Sequence, residues 1–370
     1  MKIKTITTWA DYNYGASLQA YALLAFLKNK GHEVELIHYL PPYQTRMYDY
    51  MWVNPESKAS RFLITRWAYR GAKFLQRMTT LRRKRIFDEF NFHSLPLSSE
   101  VYHSFDEIRR NPPEADVYIC GSDQIWNVLY DAGKDPTFFL EFVPKGHKKV
   151  SYAASFSYLN IDETNRRRIA NSLQKFEAVS VREYQGIELL KDMGIDGTWV
   201  LDPVFLLPIE HWNSFSAKAK VDIGKEPYLL VYDFEGNRQL KDAAIGYAKQ
   251  HQLKIYSITD KRPLAYTHRN FNNVGPMEFV KMIAGCSAFM SNSFHGTAFS
   301  IMYHKPFYVF NRQRHSVNSR MESLLTLFGL KDRLIIGKES VESDIDWKNV
   351  ERIKNAYLTQ SLDFLKKIGV

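Results

Sequence analysis

Cysteine is scarce: the 370 residues hold two, Cys120 and Cys286. Each ends or follows an apolar run and reads as a small buried side chain. Two such positions supply neither a disulfide framework nor metal-ligand spacing, so no metal is expected. So little cysteine fits a reducing cytoplasm. Long hydrophobic runs are missing as well, and no stretch approaches the ~20 apolar residues that cross a bilayer. The opening Met1-Lys2-Ile3-Lys4-Thr5-Ile6 is too short and too polar for a signal peptide. These absences together predict a cytoplasmic protein. Short-period repeats and low-complexity linkers are absent, which excludes solenoids and strings of tethered modules. No nucleic-acid-binding motif accompanies the net charge of +10, so nucleic acid ranks last among partners.

What the chain does carry is material for two ordinary domains, with 45% hydrophobic residues, 22 Tyr and 24 Phe. So many aromatics suit sugar-stacking surfaces or, more simply, a tyrosine-rich core. The positive charge is concentrated. Within residues 61–90, Arg61, Arg66, Arg70, Lys73, Arg77, Arg82, Arg83, Lys84 and Arg85 stand against only Asp88 and Glu89. Tyr48, Tyr50, Met51 and Trp52 precede them, and Phe62, Leu63, Trp67, Ala68, Phe74, Leu75 and Met78 interleave with them. Residues 43–92 therefore read as an insertion with a basic amphipathic helix. Such a helix lies on an anionic membrane surface or spreads its arginines over its own domain.

Elsewhere apolar runs alternate with helical spacings, which predicts an α/β fold of two Rossmann-like domains facing a cleft. Residues 2–7 read as a strand, 15–30 as a helix stopped by Gly31, and 34–39 as a strand ended by Pro41-Pro42. Strands at 116–120, 150–157 and 178–181 continue this unit. Pro203 and Pro208 mark its exit, so the first domain is placed at 1–208. The rhythm restarts with strands at 228–232, 254–258, 288–291 and 305–310, which gives a second domain over 209–345. Residues 346–367 form a terminal helix, in a segment 346–370 long enough to pack back on the first domain.

Ligands in such folds bind beyond the strand ends. After the first strand, Asn13, Gly15 and Ser17 open a helix whose N-terminus a ligand can approach; an ordinary strand-to-helix turn is the alternative. After Cys120, the run Gly121-Ser122-Asp123-Gln124-Ile125-Trp126-Asn127 offers a carboxylate at Asp123, hydroxyl-binding amides at Gln124 and Asn127, and a sugar-stacking face at Trp126. The alternative makes Asp123 a helix cap. Arg182, at another strand end, clamps a carboxylate or phosphate with its planar fork, or pairs with Glu183. Residues 291–300 predict a tight polar turn and a helix opening near Gly296. Ser291, Ser293, Gly296 and Thr297 there suit an anion, with His295 placed to touch it and to move a proton. The plainer alternative caps the helix with Ser291 or Ser293 and merely packs the histidine.

Six stretches, in this order, resemble the polysaccharide pyruvyl transferase family: residues 13–20, 121–127, 151–156, Ser180-Val181-Arg182-Glu183, Asp202-Pro203, and 291–296. The resemblance runs over about residues 3–310. It implies a glycosyltransferase-B-type architecture. It implies transfer of pyruvate from phosphoenolpyruvate to two hydroxyls of a sugar, giving a cyclic ketal and phosphate, with no cofactor beyond that donor. The implied acceptor is a capsule or exopolysaccharide unit of the cell envelope, often lipid-linked at the inner face of the membrane. Arg182 and His295 match family positions that contact phosphoenolpyruvate, and Asp123 falls near a family acidic position.

One departure stands out. The family pattern Arg-Leu-His-Gly is here Ser293-Phe294-His295-Gly296, so one donor-binding cation is missing. Arg312, Arg314 and Arg320, further along the chain, are the candidates to replace it. On this reading His295 is the acid or the phosphate partner. Asp123 is the base or the group that orients an acceptor hydroxyl. Two other readings stay open: a sugar-nucleotide glycosyltransferase of the same architecture, and a non-catalytic binding component of a polysaccharide assembly complex.

Overall fold

Runs such as Val117-Tyr118-Ile119-Cys120 and Tyr228-Leu229-Leu230-Val231-Tyr232 bury every side chain, the pattern of strands covered on both faces. In the computed structural model they lie inside two parallel sheets. The structure describes residues 1–49, 51–53, 57–259, 263–312, 318–336 and 344–370. The first sheet contains β1 (Lys2–Ile6), β2 (Glu33–Tyr39), β3 (Leu97–Tyr102), β4 (Val117–Cys120) and β5 (Lys148–Ser151), in the order β3-β2-β1-β4-β5. Bridges Val150↔Ala178 and Ala154↔Val181 attach β6 (Val179–Val181), which pairs with β7 (Gly197–Trp199). The second sheet contains β8 (Tyr228–Tyr232), β9 (Lys254–Thr259), β10 (Arg269–Asn272), β11 (Ala288–Ser291), β12 (Phe307–Phe310) and β13 (Leu334–Ile335), in the order β10-β9-β8-β11-β12-β13.

In both sheets the winding direction reverses between the first and fourth strands, β1 and β4 or β8 and β11. Successive loops leave in opposite directions there and open a crevice beyond the strand ends. Two such sheets make two Rossmann-like domains facing one cleft, the glycosyltransferase-B-type arrangement. The loops after β1 and β4 carry Asn13 and Asp123, and the loop after β11 leads into the helix whose first turn carries His295.

Six helices position these loops and the basic segment: α1 (Tyr14–Asn29), α2 (Leu63–Ala72), α3 (Phe74–Ser94), α4 (Phe294–Met302), α5 (Ser319–Leu327) and α6 (Trp347–Lys367). The two halves meet beneath the cleft, where the Tyr14 ring stacks on Phe279 at 4.4 Å and its hydroxyl donates to Val274 O (3.0 Å). On the other side Ser319 Oγ donates to Ser157 O (3.0 Å). The last helix, α6, reaches residues beside the first sheet. Its Ser361 Oγ accepts from Leu201 N (2.9 Å), and Phe364 lies 6.4 Å from the Tyr152 ring.

The basic segment differs from the single helix expected. It breaks at Lys73 into α2 and α3. No residue of α2 is buried, whereas α3 begins exposed and ends in the core. Arg83, Phe87 and Phe90 recur at helical spacing and turn that face inward. Arg83 Nε donates to Tyr12 O (3.0 Å), and the guanidinium lies 4.5 Å over the Phe87 ring. Of the residues singled out from sequence, Tyr50 and Arg314 fall outside the described residues.

Candidate active site

The turn after β11 is held by its own side chains. Ser291 Oγ donates to Tyr232 O and accepts from Ser293 N (3.0 Å). Ser293 is the N-cap of α4, with Oγ accepting from Gly296 N (3.2 Å), and Thr297 Oγ1 donates back to Ser293 O (3.0 Å). The helix therefore opens at Phe294, two residues before the expected start. Gly296 is required for packing, because a Cβ there would stand 2.6 Å from the Phe289 ring. Ser291, Ser293, Gly296 and Thr297 build the turn, and His295 is what the turn presents.

His295 does more than pack. Its ring lies against the first turn of α1: a Cβ on Gly15 would fall 2.0 Å from His295 Nδ1. The N-termini of α1 and α4 thus meet at the histidine. Its Nε2 stands 3.4 Å from Asp202 Oδ2, an ion-pair separation without hydrogen-bond geometry, and is buried with no hydrogen-bond partner. Buried polar atoms are seldom left this way, and each calls for an explanation. Asp202 was only part of a sequence motif. Its Oδ1 caps the following turn at Val204 N (3.1 Å), while Oδ2 takes Arg182 Nη1 (2.7 Å) and Ser122 Oγ (3.3 Å). Burial alone would raise its pKa, but the charges of His295 and Arg182 outweigh burial and hold it well below the usual carboxylate range.

Arg182 joins the first-sheet carboxylates. Its Nη2 donates to Asp123 Oδ1 (3.0 Å), and its hydrogen bonds do not go to Glu183. Glu183 Oε1 instead accepts from Ser155 Oγ, Phe156 N and Ser157 N. Asp123 sits at φ 70°, in the left-handed region that Asp tolerates better than most side chains. It caps no helix. From the other half, Arg320 Nη1 approaches the same Asp123 oxygen at 3.3 Å. Turning the Gln124 amide so that its oxygen faces Arg320 adds contacts of 3.0 and 3.2 Å. Burial raises Asp123, but Arg182, His295 and Arg320 together pull it below the ordinary value, which suits an orienting carboxylate better than a proton acceptor.

Both guanidiniums lie by the Phe294 ring, Arg182 4.3 Å and Arg320 5.8 Å from its centre. Arg320 is the less compensated of the pair. Burial, with Arg182 and Arg312 nearby, pushes it down to about 10, against the pull of Asp123. It stands beside Phe294 from α5. Arg312 is partly committed, its Nε donating to Glu235 Oε1 (3.2 Å), and it lines with Arg320, Asn292, Phe294 and Asn311 a recess next to the cluster.

Asp11, in the loop after β1, carried no sequence signal of a role. Its surface is open to solvent, yet protein crowds it within the cleft. That crowding and the Asp123 charge push its carboxyl up to about 7, against a Thr8 hydrogen bond.

Other sequence candidates are structural. Trp126 offers no stacking face: it is fully buried, lies 5.8 Å from Phe139 in a stacked pair, and donates Nε1–H to Phe138 O (3.1 Å). Asn127 is fully buried and accepts from Leu129 N (3.1 Å). Asn13 caps α1 through Gly15 N (2.9 Å), and Ser17 is buried within that helix. Gln124 remains at the site through Arg320. Among the described residues, no group of three or more His, Cys, Asp and Glu could hold a metal ion.

Solved structures of similar fold include UDP-GlcNAc 2-epimerase from Neisseria meningitidis bound to UDP-GlcNAc, at 12% identity and a TM-score of 0.46, covering 98% of this chain and 94% of that one. Escherichia coli ADP-heptose lipopolysaccharide heptosyltransferase II is similar at 11% identity and a TM-score of 0.39, with 97% and 99% covered. No curated protein matches the chain. A family model described as polysaccharide pyruvyl transferase matches residues 13–314, a span that includes Asp123, Arg182, Asp202 and His295 and leaves Asp11 and Arg320 just outside. The chain belongs to the polysaccharide pyruvyl transferase family.

Proposed function

We propose that the protein transfers pyruvate from phosphoenolpyruvate to two hydroxyls of a sugar in a cell-surface polysaccharide precursor, forming a cyclic ketal. The observation that carries this reading is the buried cation Arg320, which has only a share of the Asp123 carboxylate, near Arg182, Phe294 and the unsatisfied Nε2 of His295. Phosphoenolpyruvate has a carboxylate and a phosphate on one small skeleton, so it brings the negative charge this cluster lacks. Arg320 takes one anionic group in a forked pair. The first turn of α4, with its amides and dipole, favours the other. Arg182 is already committed to Asp123 and Asp202, and its role is to hold both carboxylates in place.

The chemistry follows from where protons can go. His295 delivers a proton to the methylene carbon, and the central carbon becomes oxocarbenium-like. A sugar hydroxyl oxygen bonds to that carbon while Asp11 takes its proton. The carbon–oxygen bond to phosphate then breaks, the second hydroxyl bonds to the same carbon, and the ring closes. Of the two hydroxyl protons, one ends through the acid on the new methyl group and the other on hydrogen phosphate. Asp202 Oδ2 stands 3.4 Å from Nε2, close enough to orient the imidazole that the first step requires.

The test is phosphate release from phosphoenolpyruvate in the presence of lipid-linked and soluble saccharides, with mass spectrometry of the saccharide. Acceptor-dependent release that His295→Ala and Arg320→Ala abolish supports the assignment. Saturable binding of UDP- or GDP-sugars with no response to phosphoenolpyruvate overturns it.

A further inference from the structure

From Ser57 to Phe87 the chain carries ten Lys and Arg residues and not one Asp or Glu. The same stretch turns its large apolar side chains outward. Ile64 is 82% exposed, Leu63 72%, Phe62 68% and Trp67 62%, and Phe74 and Met78 are about half exposed. The neighbouring Met51 is exposed too. Arg66 and Arg70 donate to the carbonyls of Ser60 and Met51, both at 2.7 Å, so these hydrogen bonds do not neutralise their charge. A contiguous apolar face of this kind is uncommon on a soluble surface and marks something that covers it.

We propose that α2 and the start of α3 form a docking surface for an anionic lipid membrane. Charge selects the occupant. Headgroups of negative lipids match the arginines and lysines, and the upper acyl region takes Phe62, Leu63, Ile64 and Trp67. A second copy of this chain would set this basic face, from a stretch without Asp or Glu, against an identical one. The surface is also rigidly tied to the cleft. Midway along α3, the helix that starts at this surface, Arg83 bonds to Tyr12 O, next to Asp11 in sequence. The docking proposal does not depend on the donor chemistry.

The experiment is co-sedimentation of the full chain with phosphatidylcholine vesicles, with and without phosphatidylglycerol. Binding is expected only with phosphatidylglycerol and should weaken as salt rises, because exposed charges are screened. The double variant Ile64→Asp/Trp67→Asp should partition on the order of a hundredfold more weakly, with an unchanged thermal midpoint, since both side chains leave solvent only on docking. Three results would overturn the proposal. One is no sedimentation with phosphatidylglycerol vesicles at low salt. Another is equal binding by the double variant. The third is a wild-type dimer that the double variant splits in light scattering, which makes this face an interface between copies. Each is read without substrate, so none depends on phosphate release.

Discussion

Arg182 and Arg66 are the same side chain in opposite settings. Arg182 is 1% exposed and stands between Asp123 and Asp202, because a guanidinium taken out of water needs carboxylates beside it. Arg66 reaches a backbone carbonyl on an exposed helix and needs no counter-ion, because water screens it. The comparison shows when an arginine carries information. In the cleft, imbalance is informative, and Arg320 is conspicuous because it shares its carboxylate with a second cation. On α2, charge alone marks nothing until Ile64 and Trp67 stand bare beside it.

The sharpest way to break this contrast is Arg182→Ala. It leaves two buried carboxylates without their shared partner and should cost about 3–5 kcal/mol in denaturant unfolding. Arg167→Ala, which removes an exposed pair with Glu163, should cost under about 0.5 kcal/mol. Equal costs would end the distinction. Next in size is Gly15→Ala, whose Cβ occupies the place of the His295 ring. Displacing the imidazole by an ångström should lower turnover about a hundredfold, with about 1–3 kcal/mol of overpacking strain. Adding His295→Ala should relieve that strain, so the stability effects will not add.

Acid comes third. Asp123 and Asp202 have folded pKa values below their unfolded ones. Their stabilisation is complete above the ordinary carboxylate value of about 4 and is lost as pH falls through the folded values. Asp202→Asn should therefore unfold more readily at neutral pH and show a flatter loss of stability in acid, measured as denaturant midpoints across pH. Smaller again is Asp11→Asn. With the wild-type carboxyl at about 7, activity should rise as pH passes through that value and Asp11 ionises. The variant should lose that rise and about tenfold or more in rate. A retained rise assigns the base elsewhere.

Much of the fold was legible because central parallel strands are continuous apolar runs, as at Val117–Cys120 and Tyr228–Tyr232. The strands β3 and β10 were not, since Leu-Ser-Ser-Glu-Val-Tyr and Arg-Asn-Phe-Asn lie at sheet edges, where exposed polar residues are tolerated. At the site, His295, Arg182 and Asp123 could be read from strand ends, and the structure brings the three together. Trp126 was misread because an aromatic residue after a strand looks the same whether it faces inward or outward. Asp202 was hidden by its dual use, one oxygen capping a turn and the other meeting Arg182. Arg320 was one of three candidate cations beyond the last motif, and the packing of α5 against the first half is what sets it against Asp123. The basic segment disclosed its composition but not its division, since α2 and α3 differ in what they touch rather than in charge.

The contact between Gly15 and His295 has a mechanical consequence. His295 and Arg320 belong to one half of the molecule, while Gly15, Asp123 and Asp202 belong to the other. Any hinge motion that parts the halves removes the wall behind the imidazole and both carboxylates that steady the cations. The site is a clasp that exists only when shut. Opening the cleft would dismantle the site, and closure would have to rebuild it.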